Sequence, residues 1–174
     1  MEILRSSKEI ELNGSVIAIG AFDGIHKGHQ TVIKETVEYA KQFNVSSVIY
    51  TFDPPPRHFF QNAKILTDLT EKTKRVSQLG IDKMIIATFD DTYIRTSAQS
   101  FINELIRLNP KKIIVGEDFR FGNRRTGDIH LLKEYFNVET IKPVCCPNGE
   151  RISSTRIRKL IIEGKNDLVE PLFS

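Results

Sequence analysis

The sequence predicts an α/β protein: a parallel sheet of five strands, or slightly more, with helices on both faces. Two observations predict it. Short β-branched runs alternate with longer runs of helical apolar spacing, the pattern of a sheet wound through crossover helices. The residues least suited to a core element follow the strand-like runs, at 20–29, 53–58 and 116–128. Parallel sheets gather their ligands there, outside the carboxyl ends of the strands. Together these features make the expected fold Rossmann-like.

The elements follow in order. Residues 15–20 (SVIAIG) form a buried strand ending in glycine, and 28–42 carry Val32, Ile33, Val37 and Ala40 at helical spacing. Residues 46–52 (SSVIYTF) form a second strand. The run Pro54, Pro55, Pro56 stops it and predicts an extended loop, with 53–63 a candidate lid over a site. Residues 70–79 are helical and stop at Gly80. Residues 83–89 are a third strand; 96–99 (TSAQ) resemble a capping box before a helix to about residue 109. A fourth strand at 111–116, a short helix at 128–136, a fifth strand at 138–144 and a helix at 153–163 complete the chain.

The chain has 174 residues, 40% hydrophobic and 27% charged, enough to bury one core. With no repeat, low-complexity tract or boundary, residues 1–174 read as a single domain. No apolar run nears the ~20 residues of a membrane span. The opening MEILR lacks the apolar core of a signal peptide, so the expected location is cytoplasmic. The two cysteines, Cys145 and Cys146, are adjacent, which suits neither a disulfide framework nor an ordinary metal site. The net charge is +3. Basic residues cluster at Arg120, Arg124 and Arg125, and again at Arg151, Arg156, Arg158 and Lys159. A nucleic-acid footprint is usually more basic, with interleaved aromatics, so no nucleic-acid partner is expected.

Two motifs carry chemistry. The first is GAFDGIHKGH, residues 20–29, joining the first strand to the first helix. Glycines there let backbone and ligand approach closely, and a helix N-terminus offers free N–H donors and partial positive charge to an anion. His26 and His29 add donors aimed at the same anion; the plain alternative makes one a cap and the other a surface residue. The motif is no Walker A loop, since no Gly-Lys-Ser/Thr occurs in it. The second is ISSTRIR, residues 152–158, three hydroxyl residues before a basic helix start. Alone it reads as an ordinary N-cap. Beside the first motif it reads as a second phosphate-facing helix N-terminus, with Arg156 a fixed positive fork.

Together the motifs resemble the HxGH nucleotidyltransferase superfamily, which transfers a nucleotidyl group without a covalent enzyme intermediate. Such transfer rests on positioning and electrostatics more than on a nucleophilic side chain. The stretch VGEDFRFG at 115–122, then Gly127 and Asp128, narrows the likeness. With TFDPPPR at 51–57, ILT at 65–67, Glu71, Lys72 and GERISSTRIR at 149–158, it resembles the FAD synthetase (FMN adenylyltransferase) module of prokaryotic bifunctional riboflavin kinases. The resemblance spans roughly residues 15–168.

It implies an enzyme that moves AMP from ATP to FMN, giving FAD and pyrophosphate, with Mg2+ arriving on ATP; no metal ligand is named. It implies catalytic roles for His26, His29, Ser154 and Arg156. ATP would meet these residues and Gly20, Phe22, Asp23, Gly24 and Gly116, with Ile152, Ser153 and Thr155 at the second motif. FMN would meet Phe52, Pro54, Pro56 and Arg57 on one loop, and Asp118, Phe119, Phe121, Gly122 and Asp128 on another. Phe119 or Phe121 is equally suited to the core, and Asp118 and Asp128 to turns. The second loop departs from the family's usual Pro-His-Pro, since Pro55 stands in place of histidine, and Asp53 stands where Glu is common. The bifunctional proteins continue into a riboflavin kinase module, which is expected to be absent here. Protein partners are open. The alternatives are a sibling enzyme with another acceptor, such as nicotinate mononucleotide, a non-catalytic flavin or nucleotide binder, and, more weakly, an RNA-binding protein on the same fold.

Overall fold

Six parallel strands make the main sheet of the computed structural model, which describes residues 1–5 and 10–173. The strands are β1 (Glu2–Arg5), β2 (Ser15–Ile19), β3 (Ser46–Asp53), β4 (Lys83–Thr88), β5 (Pro110–Gly116) and β8 (Val138–Ile141). A separate two-stranded hairpin pairs β6 (Arg120–Phe121) with β7 (Gly127–Asp128), antiparallel. The helices are α1 (Lys27–Phe43), α2 (Pro56–Gln61), α3 (Leu69–Gln78), α4 (Ala98–Arg107), α5 (Ile129–Tyr135) and α6 (Ser154–Ile162).

The sheet order is β1-β4-β3-β2-β5-β8. The chain steps outward from β2 through β3 to β4, then crosses back to lay β5 on the other side of β2. The order therefore reverses between β2 and β5, and a crevice at such a switch is where open α/β sheets bind ligands. Both faces of the sheet are covered, so the strands are apolar throughout: all five residues of β2 are buried. Alternate residues feed two cores. Val16, Ala18, Ile49 and Met84 pack with Ile33 and Ala40 of α1 and Val76 of α3. Ile17, Ile19, Val48 and Ile85 pack with Phe101, Ile102 and Leu105 of α4 and Leu132 of α5. A third cluster, Ile152, Ile157, Leu160 and Leu172, seats α6.

The fold class is as expected, with three local differences. The sixth strand, within the expected count, is β1 at the edge beside β4, in residues where the sequence predicted no element. The proline run does not stay extended: α2 begins at Pro56, because proline suits the first helical position, where no N–H is needed. The cap of α4 is Ser97, whose hydroxyl accepts from Ser100 N, one residue beyond the expected Thr96.

Candidate active site

The turn from β2 into α1 is strained and held from many sides. Phe22 and Ile25 have φ of 46° and 45°, a region costly for bulky side chains. Thr51 Oγ1 and Lys72 Nζ both donate to Ala21 O, at 3.0 and 2.9 Å. Ser154 Oγ donates to Asp23 O at 2.7 Å, and Gln30 Nε2 donates to Ile25 O at 3.1 Å. The Asp23 carboxylate, 2% exposed, accepts from Leu66 N at 2.9 Å and Thr67 N at 3.1 Å and pairs with Arg158. Through these partners Asp23 ties the turn to the 65–67 segment and to α6.

His26 is the N-cap residue of α1, and its side chain caps nothing. The free N–H groups of the first helical turn therefore keep their affinity for an anion. His29 stacks on His26, with ring centroids 3.7 Å apart and planes 18° from parallel. Phe22 closes the stack edge-on at 5.3 Å. Gly28 eases the stack, because a Cβ there would lie 3.2 Å from the His26 ring and press it aside by a few tenths of an ångström. Burial, opposed by a backbone hydrogen bond and helped by Arg151, lowers the His26 pKa from 6.5 to about 4. His29 is lowered well below 6.5, by burial first and then by the charges of His26 and Lys72. His29 is partly exposed as a whole, but its Nδ1, like that of His26, is buried and unpartnered among the described residues. Two neutral imidazoles with unused polar atoms thus flank an open helix N-terminus.

The start of α6 is built differently. Ser153 caps it, accepting from Arg156 N at 3.2 Å. Ile152 is buried and anchors the segment. Ser154 faces the β2–α1 turn through its bond to Asp23 O. Arg156 points to Glu150, with which it pairs, and donates to Cys146 Sγ at 3.0 Å. Exposed Thr155 accepts from Arg57, joining α6 to α2, which follows β3. The structure therefore unites residues 20–29, 53–57 and 152–158 at the carboxyl ends of the central strands β2 and β3.

The loop after β5 stands beside them, at the neighbouring strand end. Gly116 and Asp118 are exposed, and Phe119 is half-buried. Phe121 is buried, stacked on Phe119 at 5.7 Å and against Phe101 at 5.3 Å, so it is the core member of the pair. Asp128 caps α5 through Leu131 N at 2.9 Å and pairs with Arg120 at 2.9 Å, the turn role of its two readings. Gly122, at φ 73°, lets the hairpin pack on α4, where a Cβ would come within 2.7 Å of Ala98 N. Phe52 is buried among Tyr50, Phe89 and Tyr93, and supports its loop from below. Pro55 is buried at the head of α2, while Arg57 is exposed.

Lys72 was not among the expected site residues, although it is 1% exposed and touches the turn. The signal was present: Leu69, Lys72 and Val76 share the apolar stripe of α3. Among the described residues no group of three or more His, Cys, Asp or Glu is placed to hold a metal ion, and no helix is long and apolar enough to cross a membrane.

An open helix start, facing a second helix start across the switch point of a Rossmann-like sheet, is an arrangement suited to an anionic ligand. The family model described as FAD synthetase matches residues 8–156. A protein of Geobacillus thermodenitrificans (strain NG80-2), provisionally named a bifunctional riboflavin kinase/FMN adenylyltransferase, is 49% identical over 165 residues, covering 95% of this chain and 92% of that protein. The bifunctional riboflavin kinase/FMN adenylyltransferase of Escherichia coli (strain K12) is 35% identical over 169 residues, covering 92% of this chain and 54% of its own length. That of Buchnera aphidicola subsp. Schizaphis graminum is 37% identical over 180 residues, covering 98% of this chain and 57% of its own. Against these last two, the chain spans little more than half the relative's length. The solved structure of a macrolide-efflux protein from Streptococcus pneumoniae superposes with a TM-score of 0.82 at 26% identity, covering 99% of this chain and 61% of that one. The chain belongs to the FAD synthetase family, whose enzymes are FMN adenylyltransferases.

Proposed function

We propose that this chain transfers AMP from ATP to FMN, giving FAD and pyrophosphate. A phosphate oxygen of FMN attacks the α-phosphorus of ATP. The new P–O bond forms as the bond to the β-phosphate breaks, and pyrophosphate leaves with the electron pair. FMN supplies an already ionised nucleophile, so the protein's task is to align the phosphates and neutralise charge. The observation that carries this reading is the open N-terminus of α1, with His26 and His29 stacked beside it and Ser154 hydrogen-bonded across to its turn.

In this reading His26, His29, Ser154 and Arg156 hold the triphosphate. Gly20, Phe22 and Gly24 shape its turn, and Gly116, Ile152, Ser153 and Thr155 complete the nucleotide side. Pro54, Pro56 and Arg57, with Asp118, Phe119 and Gly122 opposite, line the FMN side. Anionic phosphate beside two neutral imidazoles raises their proton affinity, so bound ATP draws protons onto the histidines. Mg2+ would arrive on the phosphates of ATP and would supply charge neutralisation there. A cytoplasmic location goes with this reading, and both cysteines are free thiols.

The test is incubation with FMN, ATP and Mg2+, followed by chromatography for FAD, with riboflavin as a parallel substrate. FAD from FMN, and no phosphorylation of riboflavin, is the expected result. Folded protein that binds ATP but makes no FAD would sink the reading and turn attention to Pro55.

A further inference from the structure

A lysine without a carboxylate in hydrogen-bond contact is rarely carried inside a protein, because desolvating its ammonium costs several kcal/mol. Lys72 is such a residue. It is 1% exposed, and its ammonium donates to two main-chain carbonyls, Ala21 O at 2.9 Å and Phe52 O at 3.4 Å. Ala21 lies just beyond β2, in the turn that leads to the two histidines; Phe52 lies near the end of β3, where the 53–57 segment begins. Methionine would fill the same space without the burial penalty, so packing alone gives no reason for the charge. The lysine sits where two substrate-facing segments diverge.

We propose that Lys72 is a positioning residue for adenylyl transfer: its ammonium ties the turn that holds ATP to the strand end that carries the FMN loop, and so fixes the spacing between donor and acceptor. The proposal rests on the FMN reading above. In-line transfer is sensitive to such spacing, since an ångström of misplacement lowers the rate about a hundredfold. The charged groups that face Lys72 are Asp23 in the turn and Asp53 on β3, both favouring the ammonium against burial, which lowers its pKa from 10.5. The same charge opposes protonation of His29, as a proton on His26 also would.

The test is Lys72→Met, which keeps the stem and removes the ammonium. With FAD formation as the assay, kcat is expected to fall about tenfold or more, while KM for ATP and for FMN each move by less than about threefold. An NMR titration of the His29 ring reads the charge independently of turnover: its midpoint is expected to rise in Lys72→Met, because one of its charged neighbours is gone. An unchanged kcat, a loss confined to KM, or an unmoved His29 titration would each overturn the proposal. Lys72→Gln, which keeps a donor without the charge, makes the same comparison if the methionine variant does not fold. Failure of both to fold also overturns it, by making the lysine a requirement of the fold. A wild type that makes no FAD sinks the FMN reading and this proposal with it; an active wild type matched by an equally active Lys72→Met sinks this proposal alone.

Discussion

The two helix starts at the switch point differ in how ready they are for a ligand. The start of α1 is vacant: its N-cap side chain bonds to nothing in the helix, and the histidine Nδ1 atoms have no partner among the described residues. The start of α6 is already satisfied. Ser153 caps it, Ser154 is bonded to the turn, and Arg156 is engaged by Glu150 and Cys146. An anion meets no internal competitor at α1, whereas at α6 it must displace a carboxylate. In the proposed reading, one helix start stands open to the nucleotide's phosphates and the other must exchange an internal partner for them.

Acid should break the α1 side first. His26 is held at about 4 in the folded chain against 6.5 when free, so the unfolded chain takes up the proton first as pH falls. The stability this neutral histidine permits is whole above pH 6.5, lost between 6.5 and about 4, and not lost further below that. The loss is about 3 kcal/mol from His26 alone. Chemical unfolding across this range measures it, and a flat profile would contradict the buried neutral ring. His29→Ala comes next: kcat should drop about a hundredfold, with the fold intact by circular dichroism. A rate near wild type would remove His29 from the phosphates.

The α6 side should respond more through stability and affinity. Asp23→Asn leaves the partly buried Arg158 without its ion-pair partner and should lower stability by about 2 kcal/mol. Thermal melting checks this, and an unchanged midpoint would deny Asp23 its clamping role. Glu150→Gln releases Arg156 from a competing carboxylate and should lower KM for ATP about threefold, with kcat little changed. A higher KM would mean that Glu150 holds Arg156 in place for ATP rather than away from it.

Much of this was legible in the chain, for identifiable reasons. Strands β2 to β5 are β-branched and buried, so their residues announce them. The place of His26 and His29 was legible because a glycine-rich segment between a strand and a helix puts both at the helix start. β1 was not: it has four residues at a sheet edge, and pairing with β4 makes it a strand. α2 hid behind its prolines, which favour a helix start as readily as an extended loop. The partners of Arg156 were invisible, since Glu150 and Cys146 meet it only once the 145–151 turn forms. Lys72 was concealed by residue type, a charged side chain at a position whose spacing is apolar.

The β2–α1 turn also has a history in time. Its side-chain partners come from far along the chain: Thr51 is 30 positions from Ala21, Lys72 is 51, and Ser154 and Arg158 lie 131 and 135 from Asp23. Contacts across such distances close large loops and wait on the rest of the fold. As the ribosome delivers the chain, the central strands have their own neighbours long before residue 154 emerges, and the turn acquires its last restraints only when α6 docks. A half-made chain therefore carries both histidines before the distant contacts that brace their turn have formed.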